Sequence, residues 1–137
     1  VANNQGKFMN LDKAIRIAVD AHTNQVDKGG ESYILHPLRL MMQFDDDDYR
    51  IVAVLHDVIE DSHIALCDLE KEGFSDKVLL SLSALTRRNS QTYDNYISRI
   101  SSNYIARKVK IKDLKDNLNV LRLSSFNEVD AKRQTNI

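Results

Sequence analysis

The sequence predicts an all-α fold, a single-domain helical bundle, and three observations predict it. The chain has 137 residues with only four glycines and one proline, so breakers of regular structure are scarce. Apolar residues recur at three- and four-residue steps through most of it, the spacing that gives a helix one apolar face. Apolar residues make up 42% and charged residues 28% of the sequence. That is the balance of an ordinary soluble globular protein, and this length fits one domain around one core.

The first helix is expected from Leu11, with Asn10 as its cap, because Leu11, Ala14, Ile15, Ala18 and His22 share a face. Lys28-Gly29-Gly30 breaks that pattern. Pro37 suits the first position of a short second helix, Pro37 to Phe44. Asp45-Asp46-Asp47-Asp48 then marks a helix start, where carboxylates complement the N-terminal dipole; cation binding is the alternative. The helix that follows, Tyr49 to about Glu60, is apolar through Ile51, Val52, Val54, Leu55, Val58 and Ile59. Such a segment is buried nearly all round, so polar residues inside it need partners. Further helices are expected over Cys67 to Glu72 (ended at Gly73), Asp76 to Leu85, Tyr93 to Ser101 and Ile105 to Leu123. The domain thus covers residues 11–123, and residues 124–137 form a polar, weakly patterned C-terminal extension, expected to be partly loose.

Several function classes are disfavoured by composition. The formal net charge is -1, so no global basic field attracts nucleic acid or an anionic membrane. Cys67 is the only cysteine; no internal disulfide and no cysteine-built zinc site can form, and one free thiol fits a reducing cytoplasm. No apolar run approaches the roughly 20 residues that span a bilayer. Val1 to Met9 lacks the layout of a signal peptide and is set aside.

The informative residues are polar ones in apolar surroundings. His56 and Asp57 lie inside the most apolar helix, with Glu60 and Asp61 one turn later. On a continuous helix His56 lies over Glu60 and Asp57 over Asp61. Three carboxylates this close resist ionisation unless something positive sits among them. A divalent metal does this, since imidazole and carboxylate suit zinc, manganese or iron. The alternative is a helix end entering solvent, although acidic groups there oppose the dipole. One turn cannot close a metal site, so other histidines are candidates. His36 is either a further ligand or a helix cap before Pro37. His22, on the apolar face of the first helix, reads as a buried, hydrogen-bonded structural residue, and His63 as solvated. In the last helix Val109, Ile111, Leu114, Leu118 and Leu121 form an apolar stripe, while Asp113 and Asn117 share a face.

Three segments resemble one branch of the HD-domain metal-dependent phosphohydrolases: the hydrolase domain of the RelA/SpoT alarmone enzymes and the stand-alone small alarmone hydrolases. Gly30-Glu31-Ser32-Tyr33-Ile34-Leu35-His36-Pro37 resembles G-E-P-Y-I-x-H-P. Leu55-His56-Asp57-Val58-Ile59-Glu60-Asp61 resembles L-H-D-x-x-E-D, and Val109-Lys110-Ile111-Lys112-Asp113 through Asn117 resembles V-K-x-x-D-x-x-x-N. A bare His-Asp pair is weak evidence; the three segments in this order are specific.

The resemblance implies an HD-type helical bundle and one divalent metal held by His36, His56, Asp57 and Asp113. The ion is manganese by resemblance, with Zn2+, Fe2+ or Co2+ as alternatives. It implies that Glu60 and Asp61 orient and deprotonate the attacking water, and that Asn117 contacts the nucleotide sugar or supports the ligands. Lys28 matches a basic position in the loop covering the substrate, and Arg87 and Arg107 are candidates to offset polyphosphate charge. Tyr93 belongs with Arg87 in a stretch similar to a compact bacterial subgroup, and is a further candidate substrate contact. Two departures matter. Leu118-Asn119-Val120 follow Asn117 where the long enzymes have M-R-T. Asp27 stands where the long enzymes have an arginine that stacks on guanine. Together they leave the base open.

The implied activity is hydrolytic removal of the 3′ pyrophosphate from ppGpp, pppGpp or an adenine analogue. The alternatives are another nucleotide or NADPH phosphohydrolase of the same fold, and a non-catalytic nucleotide-binding regulatory domain. The expected partner is a small-molecule nucleotide, not nucleic acid or membrane; the oligomeric state stays open.

Overall fold

The computed structural model describes the backbone of residues 2–135 and the side chains of residues 10–121. It is all-α, with helices α1 (Ala2–Ala21), α2 (Leu35–Met41), α3 (Asp47–Leu55), α4 (Val58–Asp61), α5 (Leu66–Lys71), α6 (Asp76–Leu85), α7 (Tyr93–Ser101) and α8 (Tyr104–Thr135). An isolated antiparallel bridge, Val26 to Ser32, closes the loop between α1 and α2.

The core is built around α3, whose residues Ile51, Val52, Ala53, Val54 and Leu55 are all buried. A helix apolar on every side must be surrounded, and α1, α2, α6 and α8 pack against this one. Ala14 and Ala18 of α1 are fully buried; small side chains allow the close helix approach. The acidic run starts α3 as the dipole argument requires. Asp46 is the N-cap, accepting from the backbone N–H of Asp48 and Tyr49, with Asp47 and Asp48 in the first turn. Ser75 and Thr92 cap α6 and α7 in the same way. Both helices keep their expected limits because a hydroxyl cap marks each start.

Several boundaries depart from the expected ones; α2, for one, ends at Met41 and not at Phe44. Asn10 lies inside α1 instead of capping it, since asparagine in a helix interior costs only about 0.7 kcal/mol relative to alanine. α2 begins two residues before Pro37, with Ile34 as its N-cap and no side-chain cap bond. Proline is tolerated throughout the first turn because its missing N–H has no helical acceptor there. His36 is therefore buried within α2 and is not its cap. The long helix over 49–60 is interrupted between Leu55 and Val58. His56 Nδ1 donates to the Ala53 carbonyl at 2.6 Å, which the amide of Asp57 would otherwise use, and Asp57 takes φ -103, ψ -1. Finally, α8 runs as backbone to Thr135, past Leu123; the side chains of the expected extension lie outside the described residues. Of the α8 apolar stripe only Val109 is buried, and Ile111, Leu114, Leu118 and Leu121 are exposed. The core-facing side of α8 is instead Ile105, Ala106, Val109 and Asp113.

No helix among the described residues is long and apolar enough to cross a membrane.

Candidate metal centre

Two helices and one helix break bring four side chains together. His36 comes from α2, Asp113 from α8, and His56 and Asp57 from the break after α3. One ligand atom from each lies within 4.8 Å of all the others. His36 Nε2 is 2.8 Å from Asp113 Oδ1, and His56 Nε2 is 2.8 Å from Asp57 Oδ2 and 3.3 Å from Asp113 Oδ1. The side chains of His36, His56 and Asp113 are 3%, 3% and 7% exposed, and that of Asp57 is 20%. The cluster is thus dry on three sides and open beside Asp57.

The donor set fits a divalent cation. Each imidazole has its Nδ1 tied outward, His56 to the Ala53 carbonyl and His36 to Asp116 Oδ2 at 2.6 Å. Both Nε2 atoms then face the two carboxylates. Two neutral nitrogens and two anionic oxygens are ligands for zinc, manganese, iron or cobalt. Without a cation, protons must take its place. Burial alone lowers the His56 pKa, but Asp57 and then Asp113 outweigh it and raise it well above the ordinary value. Burial pushes Asp57 up, yet His56 pulls harder and leaves it at about 2. Asp113 is held well below the carboxylate range, against its burial, by His36 and His56.

Four surrounding residues that the sequence reading gave no role, Tyr33, Asp116, Arg39 and Lys110, orient this set. The Tyr33 hydroxyl donates to Asp57 Oδ2, and its own ionisation is suppressed by burial and by Asp57. Asp116 accepts from His36 and from both Nε and Nη2 of Arg39, at 2.9 and 2.8 Å. Lys110 donates to Asp113 Oδ2 at 3.2 Å; burial opposes its charge, but Asp113 raises its pKa above the ordinary value. The signal for Asp116 and Arg39 was present: each lies three residues after a candidate ligand on its own helix, and so on a neighbouring face.

The other predicted residues divide. Lys28 and Asn117 line a cavity of about 300 Å³ that also touches Tyr33, His36 and Arg39, and Asn117 Nδ2 donates to Asp113 Oδ1 at 3.3 Å. Asp27 lines the same cavity, with Oδ1 accepting from the backbone N–H of Gly29 and Glu31 at 2.8 and 3.0 Å. Glu60 bonds away from the cluster residues, to a backbone amide. Its Oε1 accepts from the Arg87 backbone N–H at 2.6 Å, in an open cleft with Thr86 and Arg88. Asp61 stays close to the cluster electrostatically, its pKa raised by burial and by Asp57. Gln25 connects two parts of this wall, its Oε1 accepting from His22 Nδ1 at 2.8 Å and its Nε2 donating to the Asp61 carbonyl at 2.9 Å. His22 is buried as expected, although its Nε2 has no partner, and His63 is exposed. Arg87 lies over the Tyr93 ring, 5.7 Å from its centroid. Arg107 lies over Tyr104 at 5.3 Å, six residues before Asp113 and so about 9 Å away along the α8 axis.

No family model matches the sequence. Among curated proteins, a guanosine-3′,5′-bis(diphosphate) 3′-pyrophosphohydrolase of Aquifex aeolicus is 29% identical over 133 residues, 90% of this chain and 19% of that protein. A protein of the same name from Borreliella burgdorferi is 33% identical over 55% of this chain and 12% of its own length. A GTP pyrophosphokinase of Streptomyces coelicolor is 32% identical over 56% of this chain and 9% of its own length. The chain therefore spans less than a fifth of the relatives it matches. By sequence it is a distant relative of one segment of the guanosine-bis(diphosphate) pyrophosphohydrolases, and it carries a His–Asp cluster suited to a metal ion.

Proposed function

We propose that the chain is a metal-dependent phosphohydrolase that removes the 3′ pyrophosphate from ppGpp, pppGpp or an adenine analogue. The observation that carries this reading is the convergence of His36, His56, Asp57 and Asp113 beside a cavity lined by Lys28 and Asn117. Relatives named for that hydrolysis support it. Those four side chains would hold a divalent ion, manganese by preference, which would supply water acidification and Lewis-acid activation of the phosphate.

The remaining work falls to the chain's own residues. Asp61, its pKa raised by burial and by Asp57, accepts the proton as the water oxygen bonds to phosphorus. Glu60, held by the Arg87 amide, orients that water. The bond from phosphorus to the 3′ oxygen breaks, and the leaving oxygen takes up a proton from solvent. Lys28 offsets phosphate charge at the cavity and Asn117 contacts the sugar; Arg87 beside Tyr93, and Arg107, are the outlying cations of the same field. Water-handling carboxylates are unnecessary in a pure nucleotide-binding regulatory domain, which makes that reading the weaker one. Asp27 favours a second reading of the substrate. Its Oδ1 is engaged by loop amides where the long enzymes stack an arginine on guanine, so another nucleotide or NADPH takes the same place.

A nucleotide panel tests this. Purified protein with Mn2+ is mixed with ppGpp, pppGpp, their adenine analogues, ATP and NADPH, and pyrophosphate and orthophosphate are measured separately. Pyrophosphate from the 3′-diphosphate substrates alone is expected. Orthophosphate from ordinary nucleotides supports the second reading, and binding without turnover of any of them overturns the proposal.

A further inference from the structure

Two helices meet at the cluster through matched pairs. α2 presents His36 and Arg39, three residues apart, and α8 presents Asp113 and Asp116 at the same spacing. His36 lies between the two carboxylates, Nε2 on Asp113 at 2.8 Å and Nδ1 on Asp116 at 2.6 Å. Arg39 grips both oxygens of Asp116, Nε on Oδ1 at 2.9 Å and Nη2 on Oδ2 at 2.8 Å. The Asp116 side chain is 15% exposed and that of Arg39 is 40%.

We propose that Arg39 and Asp116 form a positioning relay that fixes the ring and tautomer of His36 in the metal centre. The proposal rests on the reading of the four-residue cluster as a metal site.

The physical argument concerns which nitrogen is bare. A neutral imidazole has one N–H and one lone pair, and the hydrogen bond at one nitrogen decides the other. Asp116 has only acceptor oxygens, so it keeps the proton on Nδ1 and leaves the Nε2 lone pair facing Asp113 and the cluster. If Asp116 is removed, Asp113 becomes the one carboxylate left on the ring. It then holds the proton on Nε2, the atom a cation needs. Arg39 contributes at one remove. Its fork takes the outer Asp116 oxygen and shares the inner one, which locks the carboxylate plane and keeps it ionised. Arg39 also lines the 300 Å³ cavity beside Lys28, so the relay runs from the cavity wall to the cluster. Lys112 and Lys115 lie in the groove on the outer side of Asp116 and take no part in these bonds.

Outer carboxylates that orient metal-bound histidines change metal affinity by about 10–100-fold when removed. The test uses the full chain, stripped by chelator and titrated with Mn2+ by calorimetry, with the His36 tautomer read from nitrogen-15 NMR. Asp116→Ala is expected to weaken Mn2+ binding by about 10–100-fold and to move the His36 proton from Nδ1 to Nε2. Arg39→Ala weakens binding less, and Arg39→Lys recovers part of the loss. Asp116→Asn keeps the shape and an acceptor oxygen, so it guards against a folding defect and falls between parent and alanine variant. Lys115→Ala binds as the parent does. An Asp116→Ala protein with parental Mn2+ affinity and the His36 proton still on Nδ1 overturns the relay while leaving the metal site standing. A parent protein that binds no Mn2+ overturns the metal site and the relay with it.

Discussion

The Tyr33 hydroxyl is hydrogen-bonded to Oδ2 of Asp57, the cluster residue most open to solvent. The Tyr33 ring lies between two histidines, with centroids 4.9 Å from His22 and 5.7 Å from His36. One residue thus braces a carboxylate and walls the cavity. Tyr33→Phe keeps the ring and deletes the bond. Hydrogen bonds to charged groups contribute about 1.5–3 kcal/mol, and a loss of that size is expected in chelator-treated protein. Urea denaturation of parent and variant measures it; equal midpoints and slopes contradict the bracing role.

The metal-free protein has a stability optimum set by the cluster. The folded pKa of His56 is raised above its ordinary value of 6.5, so its contribution is full below that value and is lost as pH rises through the folded pKa. Asp57 is lowered from 3.8 to about 2, so its contribution is present above 3.8 and is lost as pH falls through about 2. Stability is therefore expected to decline on both sides of the mildly acidic range. Saturating Mn2+ replaces the proton and removes the alkaline decline. Thermal melts against pH, with chelator and with Mn2+, check both halves.

Gly30 holds φ +85 in the loop that carries Asp27 and Lys28, with nothing within 4 Å of an added Cβ. Gly30→Ala meets backbone strain and no clash, at about 1–2 kcal/mol. The loop and not the cluster bears this strain. KM for the nucleotide is expected to rise while Mn2+ affinity stays put, and calorimetry beside steady-state kinetics separates the two.

Leu82 of α6 is 1% exposed in the core. Leu82→Ala is expected to lose about 2–5 kcal/mol yet keep parental Mn2+ affinity at low temperature. Loss of metal binding in step with stability would mean that the cluster is not held by its local bonds.

These outcomes follow from features that were unequally legible in the sequence. An all-α bundle was readable because periodicity acts locally: the expected spans Asp76 to Leu85 and Tyr93 to Ser101 are those of α6 and α7. His56, Asp57, His36 and Asp113 stood out as polar residues in apolar surroundings or in ordered motifs. The break at His56 was invisible, since Val58 and Ile59 continue the apolar pattern beyond it. It depends on a bond from the His56 ring to Ala53, which spacing does not encode. The bond from the Arg87 amide to Glu60 is a long-range contact that spacing does not encode either. Arg39 and Asp116 were missed because isolated charges three residues from a ligand look like solvated surface until two helices bring them together. The exposed row Ile111, Leu114, Leu118 and Leu121 shows the converse: apolar periodicity finds a face and does not say what faces it.

The central claim is that one cation is held by His36, His56, Asp57 and Asp113. The most direct measurement is an anomalous difference map from crystals grown with Mn2+. The account predicts one strong peak per chain bonded to both Nε2 atoms and to both carboxylates, absent in His56→Ala. A peak elsewhere, or none at this cluster with Mn2+ in excess, contradicts it.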